Sequence, residues 1–298
     1  MAELHEDRRR ALSFGAIADD YDRLRPRYSD VTLDAIAAGG TALDVGAGTG
    51  ILARQLRDRG LDVLAVEPDG AMADVARASG VPAEVATFEE WDARGRTFDL
   101  VTFGQSWHWV DAETAVPRLA GLLNPGGRVV LLWNKLRPTR PANDDLRAAS
   151  EDYINVEAAG AGTAHDQMFA MAALRGRFEA VGFTVSERED SWTEAQEKDR
   201  WLDLVFTYSG HSTLPEDRRV ALRAALAEVI GDGDVELAAG TIALIAERWR
   251  RRPQHPQQAA EDHYPGARQG ERRWVLAEHD RTRGDADDRH EECCGRDR

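Results

Sequence analysis

Two carboxylates and three glycines carry the clearest chemical signal in this chain. Gly46, Gly48 and Gly50 alternate in the stretch Thr41-Ala-Leu-Asp-Val-Gly-Ala-Gly-Thr-Gly-Ile51. The segment before them, Ala42 to Val45, has the length and apolar content of a buried strand, and Ile51-Leu-Ala-Arg-Gln-Leu-Arg57 spaces its apolar residues as a helix does. A strand, a glycine turn and a helix N-terminus together cradle small ligands. Glycine lets a ligand approach the backbone, and the helix end presents free N–H groups. Asp44, at the end of the predicted strand, puts a carboxylate into that cradle. Against the pyrophosphate of a dinucleotide this charge is repulsive; toward a ligand carrying an ammonium and a cationic sulfur it is attractive. The dinucleotide fingerprint also wants a small residue three positions after Gly48, where Ile51 stands. Glu67 follows Asp44 by 23 positions and ends a second predicted strand, a place suited to binding ribose hydroxyls. A buried acid at a strand end is costly without a partner, so both acids are expected to serve a ligand.

The elements that position these residues are legible as a pattern. Phe14, Ile17, Ala18 and Tyr21 repeat at helical spacing, and Pro26 should end that helix near Arg25. A second helix is predicted from Ser29 to Ala38, with Ser29 or Asp30 as its cap. Leu61–Glu67, Pro82–Ala86, Phe98–Phe103 and Arg128–Trp133 read as strands two to five, separated by helices at Ala71–Ala78 and Ala112–Leu123 and by the tight turn Asn124-Pro-Gly-Gly127. Strand-length apolar runs alternating with helices predict a parallel sheet covered on both faces. From about Pro138 the pattern changes. Asn143–Ala159, Met171–Ala180, Gln196–Tyr208 and Pro215–Ile230 are predicted helices and Phe183–Glu187 a strand; Val235–Trp249 fits a strand or a helix equally well. The organisation expected is an arm and entry helix over 1–30, a main domain over 31–249 with a helical insertion at about 190–231, and a tail over 250–298. That tail holds eleven arginines and eleven acidic residues with few aliphatics, a composition that predicts disorder.

With a net charge of −15, the chain lacks the basic face that phosphate binding needs, which argues against nucleic acid as its main partner. No run approaches the roughly 18 apolar residues of a membrane span. Cys293 and Cys294 are adjacent and have no other cysteine to pair with. The expectation is a cytoplasmic protein acting on small molecules, with neither membrane nor metal, as a monomer or homodimer.

Read together, Leu43-Asp-Val-Gly-Ala-Gly-Thr-Gly50, Val66-Glu-Pro68, Gln105-Ser-Trp-His-Trp109 and Leu123-Asn-Pro-Gly-Gly127 resemble the class I S-adenosylmethionine-dependent methyltransferases. Within that family the chain is similar to the type-11 group that includes trans-aconitate and cantharidin methyltransferases. Ala18-x-x-Tyr21 and Arg25-Pro26-x-Tyr28 look like that group's entry helix, and Trp201-Leu202 and Leu214-Pro215 to Arg219 like its C-terminal segment. The resemblance implies an α/β, Rossmann-like, mostly parallel seven-stranded sheet with helices on both faces, and helical additions at the N-terminus and between the last strands. It implies S-adenosylmethionine as cofactor. Asp44, Gly46, Ala47 and Gly48 would meet its methionine part, Glu67 and Pro68 its ribose, and Thr87 and Phe88 its adenine. Gln105 would line the sulfonium region, while Tyr21 and Arg25 would close over the cofactor.

Methyl transfer from a sulfonium is an in-line displacement, so the protein's main task is to align the acceptor and exclude water. A base is required only where the acceptor must lose a proton. His108 is the candidate base, or it holds its loop by a backbone hydrogen bond. Trp107 and Trp133 are candidate walls of the acceptor pocket, or packing residues; Asn134 also sits where open sheets bind ligands. The leading expectation is methyl transfer to oxygen or carboxylate of a small molecule. The alternatives are an NAD(P)-dependent oxidoreductase and a non-catalytic S-adenosylmethionine-binding regulatory protein.

Overall fold

The computed structural model describes residues 15–154 and 164–248. Its contacts divide the chain into Met1–Arg250 and Arg251–Arg298; the described residues belong to the first unit, and the expected disordered tail lies outside them.

At the centre is β1 (Thr41–Val45), with Ala42, Leu43 and Val45 almost fully buried. Around it β2 (Asp62–Glu67), β3 (Ala83–Val85), β4 (Phe98–Gly104), β5 (Leu123–Arg140), β6 (Phe183–Gln196) and β7 (Val235–Arg248) form one sheet in the order β3-β2-β1-β4-β5-β7-β6. The first five strands run parallel and β7 is antiparallel to both its neighbours. The order reverses between β1 and β4, and the carboxyl ends of strands flanking such a reversal open a crevice.

Ten α-helices follow from the described residues: α1 (Ala18–Leu24), α2 (Asp30–Ile36), α3 (Ile51–Arg57), α4 (Gly70–Ala78), α5 (Ala112–Leu122), α6 (Asn143–Ser150), α7 (Ala164–Ala180), α8 (Lys198–Val205), α9 (Ser209–Ser212) and α10 (Glu216–Ile230). Two core clusters sandwich the sheet. Leu43, Val45, Phe103 and Leu131 face one way toward Leu119 of α5 and Phe178 of α7. Ala42, Ala65 and Leu100 face the other, toward Leu33 and Ile36 of α2 and Leu52 and Leu56 of α3. A third cluster joins Leu146, Trp201, Leu202, Leu222 and Leu226 to Val235 and Leu237, fastening α6, α8 and α10 over the far end of β7. Each fully buried leucine in it contributes on the order of 1.5–3 kcal/mol, which fixes the helical layer against the sheet. Among the described residues, no helix is long and apolar enough to cross a membrane.

The fold decides one expectation that was open between strand and helix and corrects two others. Val235–Arg248 is a strand. From Ala239 to Ala246 it is covered on both faces, which removes the alternation that would have distinguished it from a helix. Phe183 opens a 14-residue strand rather than a five-residue one, so residues 190–196 pair with β7 (Asp190 with Thr241, Gln196 with Val235) and the helical insertion begins at Lys198. Its acidic outer half is half-exposed at a sheet edge and carries no apolar pattern to betray it. Helix α6 stops at Ser150, and the predicted continuation beyond Ile154 lies outside the described residues. Asn124–Gly127, expected as a tight turn, falls inside the bounds of β5, where Phe98 pairs with Leu123 and Leu100 with Arg128 and the four residues between interrupt the register.

Candidate functional site

Asp44 sits between Ala65 of β2 and Thr102 of β4 with its side chain fully buried. The Thr102 hydroxyl donates to Asp44 Oδ1 at 2.8 Å. Oδ2 is equally buried and has no hydrogen-bond partner. Burial pushes the Asp44 carboxyl up to about 7, opposed by the Thr102 bond, helped by the charge of Glu67 and opposed again by the backbone N–H of Ala53 in α3. Asp44 thus lines the cavity with one oxygen satisfied and the other without a hydrogen bond, an arrangement that costs free energy while it stays unmet.

Glu67 ends β2 in a different setting. Its Oε2 accepts from Gly48 N at 2.8 Å and its Oε1 from Asp69 N at 2.9 Å. Burial again raises its pKa to about 7, against the pull of those two backbone N–H groups. Glu67 therefore braces the glycine turn and leads into α4, whose N-cap Asp69 accepts from Ala71 N at 2.9 Å and Met72 N at 3.3 Å.

The turn itself is closed by Gly46 N and Ala47 N, which donate to Val66 O at 2.8 and 3.2 Å. Gly46 has φ +62°, and a Cβ there would lie 2.5 Å from Ser106 Cβ, so both conformation and space demand glycine. Ser106 in turn donates to Val45 O at 2.5 Å, tying the loop after β4 to the end of β1. One residue earlier, Gln105 adopts φ +56°, a left-handed conformation uncommon outside glycine. It is held there by Gln105 N donating to Leu132 O at 2.9 Å and Nε2 donating to Asn134 O at 3.0 Å. Strain maintained by surrounding bonds is a mark of functional positions.

The entry helix closes the other side. The Arg25 guanidinium lies 4.6 Å from the Tyr21 ring centroid and 4.2 Å from that of Tyr208, and its Nη2 donates to Thr207 O at 2.9 Å. Cation–π stacking on two rings fixes the charge in place. Its Nε is buried without a partner. Tyr28 returns toward the sheet after Pro26; Tyr28 N donates to Gln55 Oε1 at 3.0 Å and Gln55 Nε2 to Tyr28 O at 2.9 Å. Burial, then the charges of Tyr21 and Asp44, hold the Tyr28 phenol protonated well above its ordinary range. A Cβ at Gly104 would lie 2.7 Å from the Tyr28 hydroxyl and 2.9 Å from Leu52 Cδ2, so a larger residue there would displace Tyr28 or Leu52.

Seven residues singled out in the sequence thus line one cavity: Tyr21, Arg25, Asp44, Gly46, Ala47, Gly48 and Gln105. Glu67 and Pro68 stand behind its lining. Phe88 packs edge-on to Phe103 at 5.6 Å in the core, and Thr87 is engaged with Glu90; the short β3 ends in a turn that sends the ring inward. Trp107 is likewise core, edge-on to Phe103 at 4.9 Å and 5.8 Å from Phe178, and half-buried Trp133 packs against the same cluster. Neither lines the cavity, because each faces the α5–α7 side of the sheet. His108 is exposed beside Trp109, with ring centroids 4.9 Å apart, and is also outside the lining. Pro26, Tyr28, Ile51, Leu52, Gly104, Asn134, Leu136 and Tyr208 complete the wall. Asn134, at the end of the predicted fifth strand, carried a positional signal toward a ligand; Leu136 comes from the prolongation of β5, and Tyr208 from the distant helical layer, whose aromatic residues fit either helix packing or the roof of a pocket.

Residues adjacent to these line a second, more open cleft. Ile17, Leu24, Phe206 and Val220 form its apolar part, with Arg23, Arg219 and Arg223 around them. Each arginine is paired: Arg23 with Asp20 at 2.9 Å, Arg219 with Glu216 at 3.1 Å and Arg223 with Asp203 at 2.9 Å. Leu24 and Thr207 of this cleft are chain neighbours of Arg25 and Tyr208 of the first cavity, and Arg25 is bonded to Thr207 O.

A methyltransferase-domain family model matches residues 6–188. An uncharacterized methyltransferase of Mycobacterium tuberculosis is 46% identical over 129 residues, covering 42% of this chain and 53% of that protein. The ubiquinone biosynthesis O-methyltransferase of Acinetobacter baylyi is 31% identical over 150 residues, covering 43% of this chain and 63% of that protein. The chain thus spans about half the length of the first of these relatives. Among solved structures, a Haemonchus contortus phosphoethanolamine N-methyltransferase 2 in complex with S-adenosyl-L-methionine is 17% identical, with a TM-score of 0.43 over 78% of this chain and 57% of that one. The cyclopropane synthase MmaA2 of Mycobacterium tuberculosis is 15% identical, with a TM-score of 0.46 over 78% of this chain and 97% of that one.

Proposed function

Because this chain belongs to the methyltransferase-domain family, we propose that it uses S-adenosylmethionine to methylate an oxygen, carboxylate or hydroxyl, of a small molecule. The observation that carries the reading is the orphaned Oδ2 of Asp44 on the cavity wall. A cation is what such an atom lacks, and the cofactor's amino-acid ammonium supplies one. The cradle fits the group in other respects. The glycine turn gives close backbone approach, and the unpartnered Nε–H of Arg25 offers a site for a carboxylate. Glu67 holds the turn in shape through Gly48 N.

When bound, the cofactor supplies a methyl group on a cationic sulfur. The chain's own part is to orient and dehydrate. Tyr21, Arg25 and Tyr208 close over the cavity as a stacked unit, and Gln105, pinned to β5, faces the space beside Gly104. Tyr28, held protonated, can donate a hydrogen bond but not take a proton. An acceptor that arrives ionised needs no base, which accords with the exposed position of His108. The adjoining cleft along Leu24, Phe206 and Val220 offers room for the acceptor's apolar body.

The test is calorimetric titration of the purified chain with S-adenosylmethionine, S-adenosylhomocysteine and NAD(P), followed by turnover with methyl-labelled cofactor on a panel of carboxylic acids, phenols and amines. Binding of the first two ligands and label transfer to oxygen are expected. NAD(P) binding without S-adenosylmethionine binding would overturn the cofactor, and transfer to amines alone would overturn the acceptor class.

A further inference from the structure

Arg25 and Tyr28 reach the cavity from the irregular segment that follows α1, and three side chains standing side by side on three strands hold that segment. Asn134 of β5, Thr241 of β7 and Asp190 of β6 are in direct register. Asn134 Nδ2 donates to Pro26 O at 3.1 Å and to Arg27 O at 3.2 Å. Its Oδ1 accepts from the Thr241 hydroxyl at 2.7 Å, and that hydroxyl accepts from Ser29 N at 3.1 Å. Asp190 accepts from the Ser29 hydroxyl. On the cavity side, the carbonyl of the same Asn134 receives Gln105 Nε2 at 3.0 Å.

Thr241 is completely buried, in a strand otherwise filled by Gly, Ala, Leu and Ile between Ala239 and Ala246. Valine would fill the same volume, so packing alone does not call for a hydroxyl. Both its donor and its acceptor capacity are spent on groups that lead to the cavity. We propose that the Asn134–Thr241–Asp190 rung positions the site: it fixes Pro26–Ser29, and through them Arg25 and Tyr28, while Asn134 also fixes Gln105. Asn134 and Thr241 are thus positioning residues acting through others. This rests on the reading that the cavity takes the methyltransferase cofactor.

Thr241→Val keeps the shape and removes both hydroxyl bonds; Thr241→Ser restores the hydroxyl. With S-adenosylhomocysteine as the calorimetric probe, Thr241→Val is expected to raise Kd about tenfold, the scale of one to two hydrogen bonds. Amide exchange at Arg27–Ser29 should quicken in the ligand-free protein, and Thr241→Ser should recover most of both. Phe178→Leu, a core change on the opposite face, serves as a control of lowered melting temperature and should leave Kd unchanged. A wild-type Kd for Thr241→Val, or an equal loss of affinity in Phe178→Leu, would overturn the proposal. If Thr241→Val does not fold, half-buried Asp190→Ala takes its place, with a roughly threefold rise in Kd expected from one lost bond and an unchanged Kd overturning it. Absence of probe binding to the wild-type chain would instead sink the cofactor reading.

Discussion

The carboxylates at the ends of β1 and β2 are both buried, with pKa values raised alike to about 7, yet they are wired differently. Glu67 spends both oxygens on backbone N–H groups of the glycine turn and the α4 entry; Asp44 spends one on Thr102 and leaves the other bare. The first arrangement is complete without a ligand. The second is costly until a cation arrives. Two acids that look equivalent in the sequence thus differ in the structure: one braces the cradle, and the other is the one we propose meets the ligand.

Substitutions that keep shape and remove charge should pull the two apart. Asp44→Asn leaves an oxygen for Thr102 and turns an N–H toward the cavity, so S-adenosylmethionine binding should weaken by about 100-fold or more, the scale of a lost charge-assisted bond. The same change removes a buried charge that is only half satisfied, so the ligand-free melting temperature at pH 8 should hold or rise; a marked fall would place Asp44 with Glu67 as a structural acid. Glu67→Gln turns an amide N–H against one of two buried N–H donors and should cost about 1–3 kcal/mol of stability, read from denaturant unfolding. Unchanged stability would erase the distinction.

A smaller effect appears with pH. Folded Asp44 and Glu67 hold protons up to about 7, against ordinary values of 3.8 and 4.5. The unfolded chain therefore binds fewer protons between those limits. The stability these groups contribute is fully present below about pH 4 and is lost as pH climbs through 7. A cationic ligand requires ionised Asp44, so affinity should move the opposite way: about tenfold weaker at pH 6 than at pH 8 for a group titrating near 7. Calorimetry at both values, repeated on Asp44→Asn, checks this. The variant should lose the pH dependence, and a dependence that persists would assign it to another group.

Much of the sheet side of the site was legible along the chain. The strand, glycine turn and helix around Asp44 lie within 20 residues, and local periodicity and backbone chemistry decide them. The entry helix ends where Pro26 demands, with Ser29 capping the next one. The acceptor side was not legible in the same way. Trp107, beside His108 in a loop, has the composition of a binding residue, but the ring turns inward because Phe103 and Phe178 offer it a dry face.

By itself the sequence determined the α/β architecture, the cradle and the placement of Asp44 and Gln105 at strand ends, because those depend on short-range patterns of apolar and glycine residues. Tertiary structure alone decided that Glu67 braces the turn, that Arg25 stacks against Tyr208, and that Asn134 and Thr241 reach the entry segment. Asn134 and Thr241 are 107 residues apart, and Arg25 and Thr207 are 182 apart. A hydrogen bond across such a distance leaves no local periodicity. It exists only once strand register and helix packing have brought both partners to the same place.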